Sequence, residues 1–456
     1  MTQTIHIPRG ALSLIEKLNS EGYEAYAVGG CVRDSLLGIE PHDWDICTSA
    51  RPEEMQQVFS GFHTVATGLK HGTLTVVIDN QPYEVTAYRL DGEYTDHRHP
   101  DGVTFVQDLA EDLARRDFTV NAMAWHPKDG LVDHYSGRED LDAGLIRCVG
   151  EAEKRFGEDA LRILRALRFA SDYSFQIERK TSEAIHRLYP ELRDIAAERV
   201  RSELGRLLIG AGVGRILREY TDVITFLLPV LRGTVGFDQR TPYHAFDVWE
   251  HSLRAVEEVR PTEALRMAML LHDCGKPACF TLGADGQGHF YGHAKVSRNL
   301  AEPAAEALKM DNATKEKVLT LIEWHMAELS TDKRQLTRWL NRLGEETLFD
   351  LIEVQRADQA ACLGTPESRM QADTRAGELK QALEELLAEK PCFSLRDLAV
   401  NGNDMKSLGL AGRQIGETLQ QLLESVMAGE LPNEREALLR SAKEKHTTGG
   451  STRRQE

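Results

Sequence analysis

The sequence predicts an α+β head followed by an all-helical remainder, on three observations. Strand and helix patterns alternate over residues 1–150. From about Glu151 onward apolar residues recur at helical spacing and strand signals nearly vanish. The length of 456 residues exceeds what one core organises, so roughly three or four structural units are expected.

In the head, SLIEKLNSEG reads as an amphipathic helix ended by Gly22, and YEAYAV as a strand running into Gly29-Gly30. VRDSLLG is a helical turn, HDWDIC a strand, and PEEMQQVF a helix with Pro52 at its start. GTLTVVIDNQPYEVTAYR is a hairpin turning at Asp79 to Pro82. Beyond residue 150, EDALRILRALRFA, KTSEAIHRLYPELRDI and ERVRSELGRLLIG are helices. A Gly-rich loop, LGADGQGHFYGH, interrupts the array; PESRMQADTRAG reads as a linker and KEKHTTGGSTRRQE as a frayed tail.

Composition narrows the function classes. No apolar run approaches the ~20 residues of a membrane span and MTQTIHIPRG lacks a signal-peptide pattern, so a cytoplasmic protein without membrane partners is the simplest expectation. Seven cysteines without a C-x-x-C pair signal neither a disulfide framework nor a thiolate zinc site, and read as small core residues. A net charge of −17 argues against holding nucleic acid by bulk positive charge. Residues 151–210 nearly balance, with twelve Lys/Arg and eleven Asp/Glu, and are the better place to touch a polyanion.

Within GIEPHDWDICTSA, Asp43 and Asp45 flank one Trp on a predicted strand, where residues two apart share a face roughly 6.5–7 Å from each other. Like charges so placed repel. Two divalent cations such as Mg²⁺ would reconcile them, activating a hydroxyl nucleophile and stabilising departing pyrophosphate; a solvated acidic edge is the plainer reading. Just upstream, Gly29-Gly30 between strand and helix lets backbone N–H groups approach phosphate, with Arg33 close behind.

Together, GGCVRDSLLG and DWD resemble the nucleotidyltransferase signature of the polymerase β superfamily, in the class II variant shared by bacterial tRNA CCA-adding enzymes and their poly(A) polymerase relatives. RRDFTVNAMA matches a further family block, which by resemblance assigns Arg116, Asp117 and Asn121 to ribose and phosphate binding; VDHYSGREDL looks like the next, coupling head to neck. Glu84 is a candidate third carboxylate, an exposed strand residue being the alternative.

EDALR matches the family's Glu-Asp-x-x-Arg block. As a continuous helix it would place Asp159 and Glu158 three and four residues before Arg162, where a surface ion pair is worth about 0.2–0.5 kcal/mol. Chemically, an acceptor at Asp159 beside a donor at Arg162 complements cytosine and adenine, which pair an amino group with a bare ring nitrogen, and repels guanine and uracil. The resemblance implies the same role: an amino-acid template that accepts CTP and ATP. Arg165 and Arg168 are candidates for triphosphate or RNA contact, with a solvated helix face as the other reading, and AERVRSEL resembles a supporting block. The loop DGEYTDHRHPDG is of the kind that carries the family's switch from C to A addition.

Downstream, His251, His272-Asp273, His293, His325 and Asp358 fall in separate helical segments, a ligand mixture suited to borderline or hard divalent ions. Their order resembles the HD phosphohydrolase superfamily, with Lys276 placed to meet phosphate, unidentified divalent metals at the site, and His244 structural. The end of the chain, with Asn401-Gly402, Asp404, Gly409 and Gly416, resembles the RNA-binding tail of bacterial CCA-adding enzymes.

The expected division is a nucleotidyltransferase head (1–150), a helical neck (151–230), an HD body (231–370) and a helical tail (371–456). The expected activity is CCA addition to tRNA from CTP and ATP. An A-adding or poly(A) enzyme is one alternative, and an RNA-end phosphohydrolase with an inactive head another.

Overall fold

The computed structural model describes residues 5–92 and 102–449. The loop DGEYTDHRHPDG, apart from its ends, lies outside them. Two compact units divide the chain: the first runs to Arg232 with Pro261–Glu263 and Ala304–Met310 added, and the second holds the rest.

In the first unit, α1 (Arg9–Ser20) buries Ala11, Leu14, Ile15 and Leu18, a single stripe at helical spacing. After Gly22 comes β1 (Ala25–Val28), then α2 (Gly30–Leu36), β2 (Asp45–Thr48) and α3 (Pro52–Val58). Next are β3 (His63–Val65), β4 (Thr73–Ile78) and β5 (Gln81–Ala87). Asp79 and Asn80 both take positive φ (50° and 63°), the two-residue turn that matches strand twist and closes the expected hairpin. After β6 (Arg89–Asp91), β7 (Val103–Phe105) and α4 (Leu109–Ala114) come β8 (Met123–His126) and β9 (Gly130–Asp133).

The seven-stranded sheet has the order β3-β4-β5-β2-β1-β8-β9. All its pairs are antiparallel except β2 with β5, which sets Asp45 beside Glu84. Val28, Cys47, Tyr88, Leu113, Ala122 and Ala124 form part of the core that fixes these central strands. The strand expected over HDWDIC begins only at Asp45, leaving Asp43 exposed just before it. Extended by two residues, the parallel register would set Asp43 opposite Pro82, which has no N–H to give.

Helices complete the unit: α5 (Gly137–Asp142), α6 (Ala152–Glu158), α7 (Leu161–Asp172), α8 (Arg179–Leu188), α9 (Ala197–Ile209), α10 (Val213–Glu219) and α11 (Thr221–Leu227). The helix expected to run unbroken through EDALR is interrupted, because Asp159 adopts an extended conformation (φ −143°, ψ 104°) between α6 and α7. Its carboxylate accepts from the Leu161 N–H at 3.0 Å, satisfying a donor freed by the break.

The second unit includes α12 (Val248–Glu258), α13 (Glu263–Leu271), whose first residue belongs to the first unit, and α14 (Lys276–Cys279). The Gly-rich loop folds as a small hairpin pairing Thr281 with His289. It leads to α15 (His293–Ala307), whose last four residues belong to the first unit, and then to α16 (Asn312–Trp324), α17 (Lys333–Leu343), α18 (Glu345–Leu363) and α19 (Pro366–Ala388). The segment read as a linker, PESRMQADTRAG, is therefore helical. Thr365 caps it, Pro366 opens it, and Ala372, Ala376, Leu379, Leu383 and Leu386 are buried along it. Its core stripe begins with alanines, so it carries little apolar signal. In the tail, α20 (Gly402–Ser407), α21 (Arg413–Met427) and α22 (Arg435–Gly449) enclose Leu398, Met405, Leu422 and Leu438. Helix α22 thus continues through much of the stretch expected to fray.

Candidate active site and metal centre

The head site grows from β2 and β5. Asp45 opens β2 beside Glu84 on β5, with Asp43 two residues earlier, so three carboxylates gather where β2 begins, in the middle of the sheet. Burial, then the charge of Asp43 and, more weakly, of Glu84, push Asp45 up to about 6, against the opposing pull of Arg116. Trp44, between the two aspartates, is buried and anchors them. An arrangement that holds carboxylates together at an energetic cost fits a divalent cation.

Gly29 is fitted to its place twice over. Its φ is +81°, and a Cβ there would lie 2.9 Å from Arg116 Nη1. Its N–H donates to the Met123 carbonyl at 3.1 Å, and Gly30 opens α2. Arg116 is in turn held by Asp112, at 3.4 Å.

The residues of RRDFTVNAMA form a relay. Asp117 accepts from Asn121 at 3.1 Å and from Arg165 Nε at 2.8 Å, and Asn121 Oδ1 accepts from Arg33 at 2.5 Å. Burial would raise Asp117, but Arg165 and Asn121 outweigh it and hold the acid down to about 2. Arg33, buried, faces Phe169 and Tyr173 at 5.0 and 4.8 Å from the ring centroids. The Tyr173 hydroxyl donates to Asp34 at 2.8 Å. Arg33 is thereby built into the joint between α2 and α7. Tyr173 and Phe169, which carry that joint, stood out in no motif.

Asp159 and Arg162, the pair expected to select the base, are arranged differently from the side-by-side expectation. Arg162 Nη1 lies 2.6 Å from Glu158 and 3.0 Å from the Arg155 carbonyl, while Asp159 Oδ2 accepts from Arg199 at 3.0 Å. Both residues still face the break between α6 and α7. Arg199 lies in AERVRSEL, forty residues from its partner, so no local spacing links them. Arg168, considered for ligand contact, is buried between Glu203 (2.6 Å) and Asp172 (3.0 Å).

In the second unit the expected histidines and aspartates converge. His251 Nε2 lies 2.9 Å from Asp358 and 3.3 Å from His272 Nε2. His293 Nε2 lies 3.1 Å from His325 Nε2 and 3.2 Å from Asp273. Nδ1 of His272, His293 and His325 faces a backbone carbonyl at 2.7, 2.9 and 2.7 Å. A proton on each Nδ1 leaves Nε2 a bare lone pair, the tautomer a metal ligand needs. Facing lone pairs at such distances repel unless a cation or proton lies between them. Burial disfavours charge on His272, yet Asp273 and Asp358 hold it up to about 10, so the same acidic field would hold a cation. Lys276, 2.6 Å from Asp273, stands at the wall of a cavity of about 460 Å³ that also reaches His293, His325 and Asp358. His244 was expected to be structural. It belongs to this cluster, within 3.6 Å of Cys362. Among the described residues, every group of three or more His, Cys, Asp or Glu ligand atoms lying within 4.8 Å of one another falls in this unit.

Comparison with known proteins gives the chain's family. The Poly A polymerase head domain family matches residues 25–147, the probable RNA and SrmB-binding site of polymerase A matches 174–232, and tRNA nucleotidyltransferase domain 2 (putative) matches 290–442. The CCA-adding enzyme of Enterococcus faecalis is 34% identical over 96% of both chains. That of Geobacillus stearothermophilus is 35% identical over 96% of this chain and 97% of its own. The crystal structure of the Bacillus stearothermophilus CCA-adding enzyme in complex with CTP superposes with a TM-score of 0.70 at 31% identity, covering 97% of this chain and 98% of that one. Among the described residues no helix is long and apolar enough to cross a membrane.

Proposed function

The chain belongs to the family of CCA-adding enzymes, and from that premise we propose that it extends tRNA 3′ ends with CCA from CTP and ATP, using Asp43, Asp45 and Glu84 as its catalytic carboxylates. The observation that carries this is the carboxylate cluster at the start of β2, where Asp45 is raised to about 6 beside Asp43 and Glu84. Mg²⁺ held by Asp43 and Asp45 would supply activation of the RNA hydroxyl and charge neutralisation at the departing pyrophosphate.

The chain's own groups divide the remaining work. Gly29 and Gly30 bring the backbone of α2 to the triphosphate, with Arg116 beside them. Asp117, ionised and clamped by Asn121 and Arg165, accepts from a ribose hydroxyl, while Arg33 sets the angle between α2 and α7. At the break after α6, Asp159 accepts from the amino group of cytosine or adenine and Arg162 donates to the bare ring nitrogen. Exchange of Arg162 from Glu158, and of Asp159 from Arg199, would prepare both for the base. The residues run as a four-part order of head, neck, HD body and tail, with tRNA held by neck and tail.

A second activity, phosphoester hydrolysis at RNA ends, is favoured by the facing Nε2 atoms of His251, His272, His293 and His325 around Asp273 and Asp358. Replacing Asp43 and Asp45 with Ala should abolish nucleotide incorporation and spare hydrolysis of 2′,3′-cyclic phosphates. His272→Ala with Asp273→Asn should do the reverse. Incorporation unchanged by the first pair would refute the head assignment.

A further inference from the structure

The cluster in the second unit has a corner that the H…HD…H…H…D order does not use. His244 Nε2 lies 3.6 Å from Cys362 Sγ, and these two with His251 form a group whose ligand atoms lie within 4.8 Å of one another. Cys362 sits one turn beyond Asp358 on α18, so thiol and carboxylate share a helix face. His244 is tied to that helix end by the backbone, since the Ala245 N–H donates to the Cys362 carbonyl at 2.9 Å.

The spacing is that of a coordination edge. With a metal–sulfur bond of about 2.3 Å and a metal–nitrogen bond of about 2.05 Å, a tetrahedral angle places sulfur and nitrogen about 3.6 Å apart. The same geometry places two imidazole nitrogens about 3.3 Å apart, the separation observed for His251 and His272. A second observation points to the same corner. His251, whose ring centroid lies 5.0 Å from that of His244, is fully buried, yet its Nδ1 has no hydrogen-bond partner.

We propose that Cys362 and His244, with His251, form a thiolate-containing cation position adjoining the histidine-aspartate cluster, selective for a borderline ion such as zinc over magnesium. Soft sulfur beside imidazole prefers such ions, whereas magnesium demands oxygen. Binding replaces the thiol proton by the metal, releasing one proton per ion. The displaced groups are identifiable: Cys362 now donates to the Asp358 carbonyl at 3.3 Å, and Lys276 Nζ lies 3.4 Å from His244 Nε2. Lys276 keeps Asp273 and Gln239 as partners when it leaves His244.

The inference rests on the second unit being a metal centre, and cobalt separates the two claims. Titrating the full chain with Co²⁺ should give visible ligand-field bands from the bound ion and a near-ultraviolet sulfur-to-cobalt charge-transfer band. Cys362→Ser should remove the near-ultraviolet band and keep the visible ones; His244→Ala should weaken Zn²⁺ binding by about 10–100-fold with Mg²⁺ binding unchanged. Visible bands without charge transfer in the unsubstituted protein, or charge transfer that survives Cys362→Ser, overturns the thiolate position alone. Absence of any cobalt spectrum overturns the metal centre beneath it.

Discussion

Asp45→Asn should abolish nucleotide addition and at the same time stabilise the metal-free head. Asp45 rises from 3.8 to about 6 on folding. For an acid, a raised folded value means that the native state binds more protons than the unfolded chain between those two values. Stability contributed by this group is therefore lost as pH rises through that window, and the full cost is felt at pH 7. About two pKa units at about 1.4 kcal/mol each bound the cost near 3 kcal/mol. Asp45 keeps some exposure, so screening by water brings the expectation to on the order of 1–2 kcal/mol. For a unit of this size that is a rise in Tm of about 2–8 °C. Calorimetry in EDTA at pH 7 should show the Asn variant melting higher, with the gap roughly halved at pH 5. Excess Mg²⁺ should then raise the parent more than the variant, by mass action on the site. An Asn variant that melts lower in EDTA, or gains as much from Mg²⁺ as the parent, would refute the reasoning.

Further outcomes follow from the same geometry. Gly29→Ala meets both a positive φ and Arg116, and should cost about 1–2 kcal/mol while raising KM for CTP and ATP alike, measured by denaturation and steady-state kinetics. Asp159→Asn adds a donor where an acceptor is needed; kcat/KM for CTP and ATP should fall about 10–100-fold and approach the values for UTP and GTP, with stability nearly unchanged. Tyr173→Phe removes only the bond to Asp34 and should cost about 0.5–1.5 kcal/mol, with kcat affected more than KM if α2 and α7 must hold their angle.

Much of this was legible in the sequence because it is local. The hairpin at Asp79-Asn80, the glycine turn at Gly29-Gly30 and the helix started by Pro52 each follow from a few adjacent residues. The carboxylate site was half legible: Asp43 and Asp45 are two residues apart, but Glu84 joins them only through the parallel pairing of β2 with β5. Its strand was drawn too long because the obstacle, Pro82, lies on another strand. Asp159 and Arg162 were read from a helix that breaks between them, since side-chain capping of a free N–H competes with helix continuation there. The start of helix α19 was taken for a linker because the buried positions within PESRMQADTRAG are Ser368, Ala372 and Ala376, which carry little apolar signal. Cys362 and His244 meet across 118 residues, a separation no motif spans.

The central claim is most directly tested by giving the purified protein a tRNA that lacks its terminal CCA, with each of the four nucleoside triphosphates alone and then with CTP and ATP together. Two cytidines from CTP alone, one further adenosine when ATP is present, and nothing from UTP or GTP is the predicted result. Long adenosine tails, or failure to add cytidine, would contradict it.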